Sequence, residues 1–303
     1  MTVLDAPRRA KPRRAKPRRG QPRRGQLRRA QPTGFPALGQ LVPAPSAARS
    51  ARRWLRTATP PSLLIAAGLA LWQLVVTADS INPQLLPGPW LIVRSTWDDR
   101  ADIWPAIGVT TEEAVLGMAV AVVVAVLIAV SIDSFRSVRG SFYPVIVASQ
   151  TVPIIALAPL VLVWWGFGLL PKIVLVALFS FFPITVGLVQ GLGSADPDAI
   201  NLLRTMRAGR WQLLTRVKLP NALPQFFTGL KISVTYAYSA AIVAEFVGGM
   251  QGLGVYMTEA IHNAPVRMDL VLGAVFVIAL LTIALFALVG VIERLATPWR
   301  ARS

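Results

Sequence analysis

The sequence predicts an all-α, polytopic membrane protein with about six transmembrane helices. Of its 303 residues, 54% are hydrophobic and only 15% are charged, which is not the composition of an ordinary soluble domain. About six segments have the ~20 mostly apolar residues that a helix needs to span a bilayer. Their apolarity is nearly continuous, whereas the strands of a membrane barrel would alternate in polarity.

A basic amino-terminal tail precedes these segments. Residues 1–56 contain 16 of the 31 Lys and Arg residues and a single acid, Asp5. From Pro7 a unit repeats as PRRAK PRRAK PRRGQ PRRGQ LRRAQ, and a proline-bearing pentad matches no helical period. The sequence therefore predicts a disordered tail over residues 1–56 that associates with anionic membrane lipid. Nucleic acid is not an expected partner, because the tail lacks interleaved aromatic residues that stack on bases.

The first apolar segment, 60–78, has two interpretations. ARRWLRT before it and VTADS at its end resemble a twin-arginine export signal with a cleavage site. Such a signal would release a soluble domain, whereas further membrane-length segments follow here. We therefore interpret residues 60–78 as the first span and residues 57–303 as one transmembrane domain.

The remaining elements follow in order along the chain. Residues 86–99 (LPGPWLIVRSTWDD) are too short and too charged to cross, and Trp90 and Trp97 predict an interfacial helix on the outer surface. Further spans are predicted over residues 110–132, 143–165, 173–193, 226–248 and 269–292. Pro153 and Pro159 in the third span, and Pro183 in the fourth, are expected to kink their helices.

The distribution of charge predicts the orientation. With both termini in the cytoplasm, the basic tail and the most basic loops lie inside, in agreement with the positive-inside rule at every loop. The acidic residues Asp98, Asp99 and Asp102 then lie outside, together with Lys172. Lys231, near the inner end of the fifth span, is expected to extend its amine toward the interface.

The loop between the fourth and fifth spans, residues 194–224, is basic and predicts a cytoplasmic helical hairpin. Asp196 followed by Pro197 is typical of a helix start, and this helix should run to about Met206. A second short helix is predicted over residues 210–218 and should end before Pro220.

The second helix of this loop carries an apolar stripe, Trp211, Leu214 and Val217, beside basic residues. Two interpretations remain open. The hairpin either lies on the inner headgroups or docks a soluble partner whose groove takes the stripe.

Polar residues at membrane depth also have two interpretations. They are Gln150 and Thr151 in the third span, and Tyr236, Ser239 and Glu245 in the fifth. Polar groups within the bilayer face either neighbouring helices or a permeation path, and the sequence does not separate these alternatives.

The loop resembles the cytoplasmic signature of ATP-binding cassette (ABC) importer permeases, which runs E-A-A, three residues, G, nine residues, I-x-L-P. When the two are aligned on Leu219-Pro220, Val217 stands at the isoleucine, Arg207 at the glycine and Asn201 at the glutamate. The spacing of this chain agrees with the signature, whereas the residues at these three positions differ from those of the signature. Gly209, two residues after Arg207, is expected to make the turn instead.

The resemblance covers about residues 60–298. It includes LPGP, PIIALAPLVLVWWGFG, RWQLLTRVKLPNALP, FTGLKI, VAEFVGG and GLG, in that order. The chain is similar to permeases of the nitrate, sulfonate and taurine group. The sequence SQTVPIIALAPL, residues 149–160, is more similar to the corresponding segment of relatives that import pyrimidine precursors of thiamine, or riboflavin.

This resemblance implies the type I ABC importer permease fold in a bacterial inner membrane. Two permease subunits, expected to be identical, would form the pore, two cytoplasmic ATP-binding subunits would bind the loop, and an external binding protein would deliver the solute. The residues that the resemblance assigns to this coupling loop are Asn201, Arg204, Arg207, Ala208, Gly209, Arg210, Trp211, Leu214, Val217, Leu219 and Pro220.

No cofactor is expected in the chain itself, because ATP would be used by the partner. GMQGLG, residues 249–254, lacks the Lys and the hydroxyl that a phosphate-binding loop requires. An intramembrane enzyme is disfavoured, since His262 is the only histidine and no G-x-S-x-G occurs. A self-sufficient secondary transporter or channel is the alternative function, although neither repeated halves nor ionisable pairs at mid-membrane are evident.

Overall fold

The computed structural model describes residues 47–78, 82, 84–134, 154–262 and 265–299, with the side chains of the first helix from Leu63 onward. All regular structure in these ranges is helical. The chain divides into two units, residues 1–59 and residues 60–303. The helices are α1 (Ala47–Ala78), α2 (Pro89–Asp98), α3 (Arg100–Ser134), α4 (Ala158–Trp165), α5 (Leu169–Gly193), α6 (Pro197–Thr205), α7 (Arg210–Gly248), α8 (Leu253–His262) and α9 (Met268–Ala296), and a 3₁₀ turn, Ile154–Ala156, precedes α4.

Four of these helices, α3, α5, α7 and α9, are long and apolar enough to cross a membrane. They contain the predicted second, fourth, fifth and sixth spans. The predicted first span is the second half of α1. Of the predicted third span, the described part comprises the 3₁₀ turn and α4.

The first described helix overlaps the end of the predicted tail. Residues 1–46 of the predicted tail lie outside the described residues, but α1 begins at Ala47. Residues 47–56 were predicted to be disordered but are helical, because this final part of the tail lacks the proline pentads that oppose helix formation. The boundary of the transmembrane domain at residue 57 stays a prediction.

The prolines act differently from one another. Pro159 lies in the first turn of α4, where a missing backbone donor breaks no hydrogen bond, so it begins a helix rather than kinking one. Pro183 lies inside α5, which continues to Gly193. Pro153 lies outside the described residues.

The core lies where α5 packs against both α3 and α7. Alanines 121, 125 and 129 of α3 face large apolar residues of α5, and a second cluster joins α3 and α5 to α7. The buried members from α5 and α7 include Phe182, Ile184, Leu188, Phe227 and Val234. Small residues facing large ones allow these helices to approach closely.

Glycines bring α5 and α7 into backbone contact. A Cβ atom at Gly229 would lie 2.3 Å from the carbonyl oxygen of Pro183, and one at Gly187 would lie 2.5 Å from the carbonyl oxygen of Gln225. The Ser233 hydroxyl donates to the Ser180 carbonyl at 2.6 Å in the same interface. These contacts make α5 and α7 the most closely joined pair of helices.

The helix α9 is peripheral. Its most apolar 18-residue window is 6% buried, against 50% for α5 and α7. The helix α9 packs against α2, α7 and α8. Most of its apolar surface is thus left for lipid or for another subunit.

Candidate functional site

The first helix of the 194–224 hairpin begins as its sequence predicts. Asp196 accepts a hydrogen bond on Oδ1 from the Asp198 amide at 2.9 Å, and Pro197 occupies the first turn of α6. This satisfies one of the amides that a helix start leaves without a partner. The prediction of the Asp-Pro start is confirmed.

The turn of the hairpin is made by Arg207, and the expectation that Gly209 makes it is wrong. Arg207 has φ +60°, and two backbone bonds close the end of α6: Arg207 donates to Arg204, and Ala208 donates to Leu203, both at 2.9 Å. This pair of bonds is the Schellman motif, which usually places glycine at the left-handed residue. Gly209 instead has an extended backbone, φ −71°, at the start of α7.

The second helix does not stop at Leu219-Pro220, which corrects the prediction of a short helix over residues 210–218. It continues to Gly248 as α7. Residues Leu214–Lys218 form a π-helical turn, in which the Leu219 amide donates to the Leu214 carbonyl five residues earlier. The wider turn makes room for the Pro220 ring, which would otherwise collide with the preceding turn.

The predicted apolar stripe is divided between solvent and core. Trp211 is 71% exposed, whereas Leu214 is 7% exposed and packs with the apolar residues of α3 and α5. Leu214 is therefore a core residue and does not present its side chain to a partner. The exposed large apolar residues of the hairpin are Leu202, Met206 and Trp211.

The remaining loop residues fall into two groups. Those that are exposed are Asn201, Arg204, Arg207, Gly209, Arg210 and Trp211, and those that are half-buried are Ala208, Val217, Leu219 and Pro220. The exposed group combines apolar and basic side chains and contains no acid. We call Leu202, Arg204, Met206, Arg207, Arg210 and Trp211 the hairpin surface.

An ion pair joins the base of the hairpin to α3. Lys218, at the end of the π-helical turn, donates to both carboxylate oxygens of Asp133 at 2.6 and 2.8 Å. Leu213 and Leu214, one helical turn earlier, are buried. The base of the hairpin is therefore attached to the carboxyl-terminal part of α3 through both polar and apolar contacts.

The candidate residues of a permeation path are not all accessible. Tyr236 and Ser239 are exposed on α7, and Ser239 donates to the Thr235 carbonyl at 3.0 Å. Glu245 is 2% exposed, so it does not line an open path, which corrects its place among the candidates. Gln150 and Thr151 lie outside the described residues.

Glu245 is held by hydrogen bonds from two directions. Its Oε1 accepts from the Thr110 hydroxyl at 2.6 Å, and its Oε2 accepts from the Gly254 amide at 2.5 Å. Gly252 has φ +123°, and a Cβ atom there would lie 2.1 Å from Glu245 Oε1. The GLG turn at residues 252–254 thus closes directly on this carboxylate.

Interhelical ion pairs are present that the sequence did not reveal. Lys172, expected in an outer loop, is 5% exposed inside α5 and donates to Glu113 Oε1 at 2.6 Å. Lys231, expected to reach the interface, pairs with Glu293 Oε2 at 2.5 Å and lies 5.5 Å from the ring centroid of Phe286. Each cation is paired with a residue more than 50 positions away, so no local pattern could have indicated the pairs.

A further polar contact ties α8 to the junction of α2 and α3. The Tyr256 hydroxyl donates to Asp99 Oδ2. Burial, and to a smaller extent the hydrogen bond to the negative Asp99, raises the pKa of Tyr256 above its ordinary value. His262 is exposed at the end of α8, and the described part of the chain contains no group of three or more potential metal ligands.

Comparison with known proteins identifies similar chains over most of this architecture. Residues 106–301 match the model of the family described as binding-protein-dependent transport system inner membrane component. The formylaminopyrimidine transport permease protein of Halalkalibacterium halodurans is 34% identical over 81% of this chain and 97% of its own. The riboflavin transport system permease protein of Chloroflexus aurantiacus is 32% identical over 82% and 92% of the respective chains. A probable ABC transporter permease of Haemophilus influenzae is 31% identical over 75% and 91%.

Proposed function

Because the chain belongs to the family of binding-protein-dependent transport system inner membrane components, we propose that its hairpin surface is where the ATPase subunit of its importer acts. The chain is a multi-pass membrane protein, the permease subunit of an ABC importer, and not an enzyme. Such permeases work with ATPase and solute-binding partners. The residues and assembly that serve those partners here are our proposal.

The observation that carries this proposal is the division of the hairpin into an exposed and an anchored part. Leu202, Met206 and Trp211 offer apolar side chains, and three arginines surround them in sequence. Leu214 and Lys218 attach the same hairpin to the core and to α3. A surface that binds a partner and is rigidly connected to membrane helices is suited to transmit motion in both directions.

The predicted orientation places the hairpin in the cytoplasm, and the proposed direction of transport depends on this placement. The hairpin carries five cations between residues 204 and 218 and two acids at its start, which favours the cytoplasmic side. An ATPase pair that closes on ATP would draw two hairpins together and turn the central cavity outward, toward the solute-binding protein. We propose that the second hairpin belongs to an identical permease subunit.

The proposed solute is a nitrogen heterocycle of the kind named for the relatives that import formylaminopyrimidine and riboflavin. Tyr236 and Ser239, exposed on α7, are the proposed path residues, since a phenol and a hydroxyl can contact such a ring without fixing its identity. Uptake of radiolabelled formylaminopyrimidine, riboflavin and taurine by cells that express the complete importer tests this. Uptake of taurine alone would contradict the proposed solute class.

The docking proposal is tested by copurification of a tagged ATPase subunit with the permease. Trp211→Ala and charge reversal at Arg207 or Arg210 should each lower the recovered ATPase several-fold while membrane insertion is unchanged. Trp90→Ala is the matched control, because Trp90 is also 71% exposed but lies on α2. If all three hairpin variants recover as much ATPase as Trp90→Ala does, the hairpin surface is not the docking site.

A further inference from the structure

Three charged side chains from three helices meet in a buried site that the proposed transport function does not use. They are Glu113 of α3, Lys172 of α5 and Glu245 of α7, which are 1%, 5% and 2% exposed. Thr110 of α3 and the 252–254 turn complete the site. Thr110 accepts from the Leu253 amide at 2.8 Å while its hydroxyl donates to Glu245.

The four carboxylate oxygens of this site are not equally satisfied. Glu113 Oε1 accepts from Lys172, and the two oxygens of Glu245 accept from Thr110 and from the Gly254 amide. Glu113 Oε2 is buried without a donor. Thr110, which lies one helical turn before Glu113 on α3, donates to Glu245, and the Glu113 carboxyl interacts with the Glu245 carboxyl. If both groups are ionised, both are acceptors and neither can donate a hydrogen bond to the other.

The charges of the site are not balanced either. Two carboxylates and one ammonium group leave a net charge of one negative unit in a place shielded from water. Besides Lys172 and Glu245, the charged group that acts on Glu113 is the exposed Glu112, which adds no positive charge to the site. An uncompensated buried charge is strongly unfavourable, and a buried acceptor without a donor adds to that cost.

A single proton removes both defects. It would bond covalently to Glu113 Oε2, donate to a Glu245 oxygen and bring the site to neutrality. A metal ion is a poorer occupant, because the described residues offer no group of three or more metal-ligating side chains and the glycine turn packs directly on Glu245. A proton needs no coordination shell and no additional space.

We propose that this site binds one proton, held on Glu113 Oε2 and shared with Glu245. The protonated carboxyl and the facing carboxylate join α3 to α7, while Lys172 attaches α5 to the same pair. When the proton leaves, two negative carboxylates remain in contact and the α3–α7 contact weakens. Because the proton stabilises the folded arrangement, this contribution is present at low pH and is lost as the pH rises.

Infrared spectroscopy of the purified full-length permease in liposomes tests the proposal directly. A protonated carboxyl has a C=O stretching band distinct from that of a carboxylate, and ¹³C labelling of glutamate assigns the band to this residue type. We expect a protonated glutamate band at neutral pH that disappears as the pH is raised. Absence of this band from the wild-type protein at neutral pH would overturn the proposal, and this measurement requires no variant.

Thermal unfolding of variants locates the proton. In Glu113→Gln, the amide oxygen accepts from Lys172 and the amide nitrogen donates to Glu245. The infrared band should therefore be lost, and the unfolding temperature should no longer fall as the pH rises above the ordinary glutamate pKa of about 4.3. Glu112→Gln is the matched control, because Glu112 is the exposed neighbour on the same helix, and it should retain both the band and the pH dependence. In Glu245→Gln, an amide N–H would face the Thr110 hydroxyl or the Gly254 amide, so this variant should be destabilised throughout. A Glu113→Gln protein that keeps the wild-type band and pH dependence would place the proton elsewhere and refute the assignment.

Discussion

Replacing Arg207 with glycine should stabilise the turn between α6 and α7. Arg207 occupies the left-handed region, φ +60°, and both backbone bonds of the Schellman motif are already formed. The substitution therefore adds no hydrogen bond. Its effect comes from removing the contact between the Cβ atom and the backbone that disfavours this conformation for every residue except glycine.

The size of the effect is the difference of two terms. A left-handed backbone costs a residue with a Cβ atom about 1–2 kcal/mol. Glycine loses about 0.4–1 kcal/mol of this advantage because it has more conformational freedom in the unfolded segment. With values near the middle of both ranges, the net stabilisation is about 0.5–1 kcal/mol, which corresponds to a roughly 2- to 5-fold change in the equilibrium for opening the turn.

Hydrogen exchange reads this equilibrium locally. The Ala208 amide donates to the Leu203 carbonyl across the turn, so it exchanges only when the turn opens. In Arg207→Gly its exchange should be about 2- to 5-fold slower than in the wild type. Mass spectrometry of the peptide that spans α6 and the start of α7 provides the measurement.

Two control variants separate backbone strain from other causes. Arg207→Ala removes the charge but keeps a Cβ atom, so it should not slow exchange as glycine does. Gly209→Ala should be nearly neutral, because Gly209 has an extended backbone and a Cβ atom there meets nothing within 4 Å. The reasoning is refuted if Arg207→Ala slows exchange as much as Arg207→Gly, or if Gly209→Ala is the variant that opens the turn.

Two further predictions concern the contacts between spans. Gly229→Ala should lower stability by about 1–3 kcal/mol, because its Cβ atom would lie 2.3 Å from a backbone oxygen of α5. Gly108→Ala, in open space on α3, should instead raise stability by about 0.5–1 kcal/mol. Thermal unfolding in detergent measures both variants, and equal effects would contradict the close α5–α7 contact. Removal of either member of the Asp133–Lys218 pair should lower stability by about 1–2 kcal/mol and uncouple ATP hydrolysis from uptake in the assembled importer. The charge-swapped protein, Asp133→Lys with Lys218→Asp, should recover at least part of both losses, and failure of the swap to improve on the single variants would show that the pair does not act as a unit.

Much of the helical architecture could be predicted because it depends on local sequence. The long apolar runs correspond to α3, α5, α7 and α9, and Asp196-Pro197 begins α6. Length and composition are sufficient for such elements, because a backbone segment in lipid must satisfy its own hydrogen bonds as a helix. The orientation of these helices in the membrane stays a prediction.

The end of a helix was harder to predict than its start. Pro220 was expected to stop the second hairpin helix, but the π-helical turn at Leu214–Lys218 lets α7 continue. Burial of Leu214 and the pairing of Lys218 with Asp133 stabilise that turn. These partners lie in α3 and α5, so the local preference of proline was overridden by tertiary contacts.

The sequence by itself determined the class of protein, most of the spans and the position of the basic hairpin between them. It did so because hydrophobic length and turn-forming residues act over a few neighbouring positions. Only the tertiary structure decided that Glu245 is buried rather than open to a path, since its partner Thr110 lies 135 residues away. Only the tertiary structure likewise brought Glu113 and Lys172 to the same place. Each of these residues alone is an unfavourable charge in a membrane helix. Its structural role depends on which distant group lies beside it in the folded protein.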